Sequence, residues 1–98
     1  MPSTRRLPET EKAVICGVSK FISEHDITRK LTERFGIPES IDRPKNVSAE
    51  TYIVVSFVTE AGLSKALSAG HVSSRLGDWT IYPLSEVDLE ALGELYEN

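Results

Sequence analysis

The sequence predicts an α+β fold, a single two-layer domain with the element order βαββαβ followed by a C-terminal helix. Two observations support this prediction. Several segments are rich in β-branched residues or alternate apolar and polar residues, as strands do. Two others begin with a helix-capping residue and then place apolar residues along one helical face. The length of 98 residues matches one domain of ordinary size.

The first predicted strand covers residues 12–18. Successive side chains of a strand point to opposite faces of its sheet. If Ala13 and Ile15 face the core, Val14 and Cys16 therefore face the other way.

The first helix is predicted over residues 23–35. Ser23 is a favourable N-cap, and Asp26 three residues later completes a variant of the capping box. The apolar residues recur at helical spacing, at Ile27, Leu31 and Phe35. Gly36 is expected to end the helix.

A short second strand is predicted over residues 39–43, followed by a loop over residues 44–49 that contains Pro, Asn and Ser. Residues 50–58 then form the clearest strand in the chain. Its alternation directs Tyr52 and Val54 to the face opposite the core.

Thr59 is expected to cap a second helix that ends at Gly70. After a polar turn, residues 79–83 suggest the last strand, with Trp79 directed inward and Tyr82 outward.

Residues 85–96 could form a third helix, for which Ser85 and Asp88 supply a capping signal. This end of the chain is acidic. Residues 1–83 contain all 11 Lys and Arg against 10 Asp and Glu, whereas residues 84–98 contain five acids and no base. We therefore divide the chain into a flexible leader over residues 1–11, a domain over residues 12–84 and an acidic helix or tail over residues 85–98.

Composition excludes several classes of function. No apolar run approaches the roughly 20 residues needed to cross a membrane, and because residues 1–10 are polar we expect no secretory signal. Cys16 is the single cysteine, so no internal disulfide can form, and we expect an intracellular protein of the nucleus or cytoplasm. Neither His25 nor His71 has zinc-like spacing to Cys16, and nothing places them as a catalytic pair. We predict no enzyme activity, metal, cofactor, small-molecule substrate or membrane partner.

The element order predicts a ferredoxin-like two-layer sandwich. With right-handed crossovers, both helices pack on one face of a four-stranded antiparallel sheet. The opposite face stays open. We expect the functional residues on this open face, in the loops, or beneath the last helix.

The same segments resemble the RNA recognition motif over residues 12–84. The first-strand hexamer of that family aligns with residues 13–18, and the third-strand octamer with residues 50–57. The stretch that begins at Ser23 is similar to the usual helix start of the family. The resemblance implies an open sheet face that stacks single-stranded RNA bases on aromatic side chains.

If the resemblance holds, the chain is an atypical, degenerate member of the RNA recognition motif family. The three stacking positions of the family fall on Val14, Tyr52 and Val54, so only one of the three is aromatic. The basic residue that opens the octamer is replaced by Glu50, which would repel phosphate. Tyr82 could add a second aromatic platform.

The candidate interaction residues therefore combine an outward sheet face with two cations of the long loop: Val14, Cys16, Tyr52, Val54, Tyr82, Arg43 and Lys45. The helix cations Arg29, Lys30 and Arg34 are expected to form a solvated helix surface on the other side.

Three functions stay open. The first is weak binding of single-stranded RNA as part of a ribonucleoprotein. The second is a protein–protein interaction module that kept the fold and lost RNA readout, which the valines, Glu50 and the acidic tail favour. The third is a small-molecule regulatory domain of the same topology. For the tyrosines themselves, the alternative to base stacking is contact with the last helix.

Overall fold

The computed structural model describes residues 12–45 and 49–96. The predicted leader over residues 1–11 lies outside the described residues. So do residues 46–48 of the predicted loop and residues 97–98 of the tail.

Within the described residues, five strands and three helices follow one another. They are β1 (Ala13–Ser19), α1 (Glu24–Arg34), β2 (Pro38–Asp42), β3 (Glu50–Phe57), α2 (Glu60–Ala69), β4 (His71–Ser74), β5 (Gly77–Pro83) and α3 (Leu89–Tyr96), with a short 3₁₀ turn at Leu84–Glu86 before α3.

The strands form one sheet in the order β2-β3-β1-β5-β4, and every neighbouring pair is antiparallel. The α+β class is therefore confirmed, but the prediction of four strands is wrong because the sheet has five. The additional strand, β4, forms a hairpin with β5 in the segment that was predicted to be a polar turn. It contains one buried apolar residue, Val72, opposite Trp79 of β5.

The main core lies between the sheet and the helices α1 and α2. It combines inward-facing residues of the strands with residues from both helices: Ala13, Ile15, Val18, Ile27, Leu31, Ile53, Val55, Ala66, Val72, Trp79 and Ile81. Ala13, Ile15, Trp79 and Ile81 thus face inward, as the alternation predicts.

Both long helices begin where the sequence places their caps. The Ser23 hydroxyl accepts a hydrogen bond from the Asp26 N–H at 3.1 Å, and the Thr59 hydroxyl accepts one from the Gly62 N–H at 3.0 Å. Such caps satisfy backbone donors that have no partner within the helix, so they fix its first residue. At the other end of α2, Gly70 adopts φ 75°, the left-handed conformation that glycine tolerates best.

A β-bulge at Gly17 changes which side of β1 faces the core. Cys16 pairs with Tyr52, but Val18 pairs with Thr51, so β1 has one residue more than β3 at this point. Gly17 has φ 87°, and a Cβ atom there would lie 3.1 Å from the Asp78 carbonyl oxygen. The bulge moves Val18 into the core, where simple alternation would have turned it outward.

The end of α1 and the first turn of α2 approach each other through glycines. A Cβ atom added at Gly36 would lie 3.1 Å from the Gly62 Cα. A Cβ atom added at Gly62 would lie 3.3 Å from the Phe57 ring and 3.5 Å from the Gly36 Cα. The separation of the two elements is therefore set by main-chain atoms.

The C-terminal segment differs in detail from the single helix predicted over residues 85–96. The 3₁₀ turn comes first, and α3 begins only after Asp88. The Asp88 carboxylate accepts hydrogen bonds from the N–H groups of Glu90 at 3.0 Å and Ala91 at 3.4 Å. Asp88, and not Ser85, therefore caps this helix.

Candidate interaction face

The outward face of the sheet brings together the five strand residues that the sequence singles out. Val14 of β1 lies between Val54 of β3 and Tyr82 of β5. In the next row of the same face, two residues further along β1, Cys16 lies between Tyr52 and Thr80. None of the five belongs to the main core, so the face they form is distinct from the helix-covered one.

Half of this face is buried although α1 and α2 lie on the other side. Val14 is 0% exposed and Val54 is 9% exposed. Helix α3 contacts β3, and the Leu84 N–H donates to the Lys12 carbonyl at 2.8 Å, which holds the start of this segment beside the start of β1. The C-terminal segment therefore covers the Val14–Val54 row, which we call the covered half of the face.

The other half of the face is partly exposed. Cys16 and Tyr52 are half-buried, and Thr80 is exposed. Tyr82, at the β5 margin of the covered half, is 44% exposed. We call the row of Cys16, Tyr52 and Thr80 the open half.

The strand residues of this face include acidic side chains but neither lysine nor arginine. None of the five strands contains Lys or Arg. The strand pairing places three carboxylates on the outward side, those of Asp42, Glu50 and Asp78. Phosphate oxygens brought to this surface would meet these carboxylates, and the strands themselves supply no cation to bind them.

The two loop cations of the candidate set have different environments. Arg43 is half-buried and donates to two backbone carbonyls, from Nη1 to Ile22 at 2.8 Å and from Nη2 to Ser19 at 3.3 Å. Its guanidinium therefore ties the end of β2 to the connection between β1 and α1. Lys45 is exposed, next to the undescribed residues 46–48.

The helix cations lie on the opposite layer, as expected. Lys30 pairs with Glu33 at 3.4 Å, and Arg34 Nη2 donates to the Ser73 carbonyl at 3.2 Å. Arg29 and Lys30 also line a cavity of about 410 Å³, but its wall includes carboxylates as well as cations: Asp26, Arg29, Lys30, Glu33, Arg75 and Leu76. The mixed charge gives this cavity no strong preference for an anion.

One exposed aromatic residue was missed by the sequence reasoning. Phe21, in the connection between β1 and α1, is 79% exposed, and the Lys20 ammonium lies 5.5 Å from its ring centroid. The Lys20 N–H donates to the Ala49 carbonyl at 2.8 Å, so this connection adjoins the loop that carries Lys45. The sequence signal that could have identified Phe21 is its position next to Lys20 in the short connection between β1 and α1.

Neither a metal centre nor a membrane-spanning helix is found among the described residues. Within residues 12–45 and 49–96, no group of three or more His, Cys, Asp or Glu side chains is placed to hold a metal ion. No helix in the described part of the chain is long and apolar enough to cross a membrane.

Three comparisons were made with known proteins, and none of them identifies a relative. No family model matches the chain, no curated protein matches it, and no solved structure matches it.

Proposed function

We propose that this chain is a non-catalytic interaction module of the nucleus or cytoplasm with the ferredoxin-like fold of the RNA recognition motif, and that it binds a protein on its outward sheet face. The order β2-β3-β1-β5, with α1 and α2 on one side, supports this fold. On this interpretation β4 is an addition at the β5 edge.

The absence of Lys and Arg from all five strands favours protein over RNA. Affinity for nucleic acid depends largely on phosphate contacts made by cations. Here the outward face carries carboxylates, and Val14 and Val54, which occupy two of the family's three stacking positions, are buried beneath the C-terminal segment.

The open half has the composition of a small protein interface. Tyr52 offers an aromatic surface flanked by the smaller side chains of Cys16 and, one strand further, Thr80. Tyrosine is enriched at protein interfaces because it combines a large apolar ring with a polar hydroxyl. Tyr82 extends this surface toward the covered half.

Weak binding of single-stranded RNA is the second candidate. It is favoured by Tyr52, which is partly exposed, by Tyr82, which is exposed, and by Phe21, Lys20 and Lys45 at one end of the sheet. Each stacked base would contribute about 1–3 kcal/mol, so two platforms could support binding that is weak and sensitive to salt.

An NMR titration separates the two candidates. Short single-stranded RNA of mixed sequence is added at low salt to the labelled full chain, the Tyr52→Ala variant and the Arg29→Ala control. The protein proposal expects no saturable shifts of Tyr52, Tyr82 or Thr80 in the wild type at millimolar RNA. Saturable shifts at these residues that Tyr52→Ala weakens and Arg29→Ala leaves unchanged would establish the RNA alternative.

A capture experiment tests the protein proposal directly. Immobilised wild-type chain, Tyr52→Ala and Arg29→Ala are exposed to ribonuclease-treated cell extract. We expect a partner that is retained by the wild type and by Arg29→Ala but lost with Tyr52→Ala. Equal retention by all three chains would show that the sheet face does not bind that partner.

A further inference from the structure

A groove on the helical layer lies between the end of α1 and the C-terminal half of α2, and we call it the α1–α2 groove. Its volume is about 510 Å³. Its lining combines apolar side chains, two hydroxyls and two cations: Arg34, Phe35, Ser64, Lys65, Ser68 and Ala69. Among the described residues, no carboxylate lines this groove, since Glu33 and Glu60 of the same two helices lie outside it. The groove therefore suits a ligand that offers both apolar and acidic side chains.

The two cations of the groove keep their charge available to a ligand. Arg34 Nη2 donates to the Ser73 carbonyl at 3.2 Å, which holds the guanidinium in place without neutralising it. Because a guanidinium has five N–H donors, Arg34 can also bind a carboxylate. Lys65 is exposed on α2.

The exposed side of α3 offers the complementary groups. Ala91 and Leu95 are four residues apart and so lie on one stripe of the helix, beside the parallel stripe of Glu90 and Glu94. All four residues are exposed, Leu95 by 71%. Residues 84–98 contain no Lys or Arg, so no cation of this segment offsets the carboxylates. This side of α3 is therefore apolar and acidic at once.

The sheet separates the α1–α2 groove from the α3 of the same molecule. Helices α1 and α2 pack on the core side of the sheet, whereas α3 contacts β3 from the outward side. An α3 that enters the groove must therefore come from a second molecule.

We propose that the chain associates with itself, with the exposed side of α3 from one molecule bound in the α1–α2 groove of the next. Leu95 packs against Phe35, and Glu94 pairs with Lys65. The two surfaces are different, so each added molecule leaves one free groove and one free α3, and the assembly grows as the concentration rises. One side of a short helix buries little area, so the contact is weak and exchanges rapidly. This association goes beyond protein binding at the outward sheet face and does not depend on it.

Sedimentation velocity of the full chain tests this association. We expect the weight-average sedimentation coefficient of the wild type to rise between about 10 μM and about 1 mM. Lys65→Glu sets a carboxylate against Glu94 and should weaken association at least about tenfold. Arg29→Glu makes the same change of charge on α1 outside the groove and should alter association less than about twofold. A wild type that stays monomeric at about 1 mM, or a Lys65→Glu variant that associates as the wild type does, would overturn the proposal.

Exchanging the charges tests the pairing of the two surfaces. Glu94→Lys alone should weaken association as Lys65→Glu does, because it sets two cations against each other. The double variant Lys65→Glu/Glu94→Lys restores opposite charges and should recover association to within about threefold of the wild type. If the double variant associates no better than either single variant, the contact between α3 and the groove is refuted.

A mixing experiment tests the head-to-tail geometry. Lys65→Glu has a defective groove and an intact α3, whereas Leu95→Ser has a defective α3 and an intact groove. Each variant should stay monomeric alone at about 1 mM, but an equimolar mixture should form dimers and nothing larger, because the groove and the α3 left free in each pair are both defective. A mixture that stays monomeric, or that forms larger species, would contradict this geometry.

The variants must keep their fold for these comparisons. Lys65, Glu94 and Leu95 are exposed, so each variant should unfold within about 3 °C of the wild-type Tm when the fluorescence of the buried Trp79 is followed. Ser68→Glu, at another exposed position of the groove, should weaken association as Lys65→Glu does and supplies a second variant if one of the first set is unstable. Full association of a folded Ser68→Glu variant would equally overturn the proposal.

Discussion

Replacing Arg43 tests whether this cation maintains the fold or is available to a ligand. Its guanidinium donates to the carbonyls of Ile22 at 2.8 Å and Ser19 at 3.3 Å, and the side chain is half-buried. A hydrogen bond from a charged donor contributes about 1.5–3 kcal/mol when it is well shielded. Because one bond is long and water can reach the site, we expect Arg43→Ala to lower the free energy of unfolding by about 1–2 kcal/mol.

The measurement is urea-induced unfolding followed by the fluorescence of Trp79, which is the only tryptophan and is fully buried. Lys45→Ala is the matched control, since it removes a nearby exposed cation and should change stability by less than about 0.5 kcal/mol. For a domain of this size, the loss at Arg43 corresponds to a fall in Tm of roughly 4–16 °C. If Arg43→Ala is as stable as Lys45→Ala, the two hydrogen bonds to backbone carbonyls do not stabilise the fold. Arg43 would then be available to bind a ligand.

Three further substitutions test the local structure, each by thermal or urea unfolding. Gly17→Ala should cost about 1–3 kcal/mol, because φ is 87° and the new methyl group would crowd the Asp78 carbonyl; a loss below about 0.5 kcal/mol would argue against the bulge. Thr51→Val should be neutral or stabilising by up to about 1 kcal/mol, since the buried hydroxyl has no partner in the described structure; a clear loss would reveal a hydrogen bond. Thr59→Ala should cost about 1 kcal/mol by removing the cap bond to the Gly62 N–H, and an unchanged Tm would show that α2 does not depend on it.

Local signals in the sequence were sufficient for the helices and most strands. Ser23 and Thr59 mark the starts of α1 and α2 because a cap acts on backbone groups only two or three residues away. The alternation in β3 likewise assigns Tyr52 and Val54 to one face without knowledge of the partner strand. In contrast, β4 is stabilised by pairing with β5 and by burial of Val72 against the core, and its four residues have no strand pattern of their own.

The candidate site was predictable only in part for the same reason. Alternation places Val14 on the outward face, but its complete burial depends on where α3 packs, which is a tertiary property. The sequence also gives no sign that the Arg43 guanidinium is engaged by the carbonyls of a distant connection. Phe21 escaped notice because it belongs to neither periodic element, although its exposure is the highest reported for a large apolar side chain in the described structure.

The close approach of Gly36 and Gly62 limits which residues this part of the helical layer can accept. Two elements whose spacing is fixed by backbone atoms cannot yield by repacking side chains, because there are none between them at this point. The distance between the end of α1 and the start of α2 is therefore fixed at this point by the main chain. A larger residue at Gly36 would have to displace main-chain atoms of α2, whereas at Gly62 a new side chain would first meet the Phe57 ring, so both positions should resist replacement although neither lies on the outward face of the sheet.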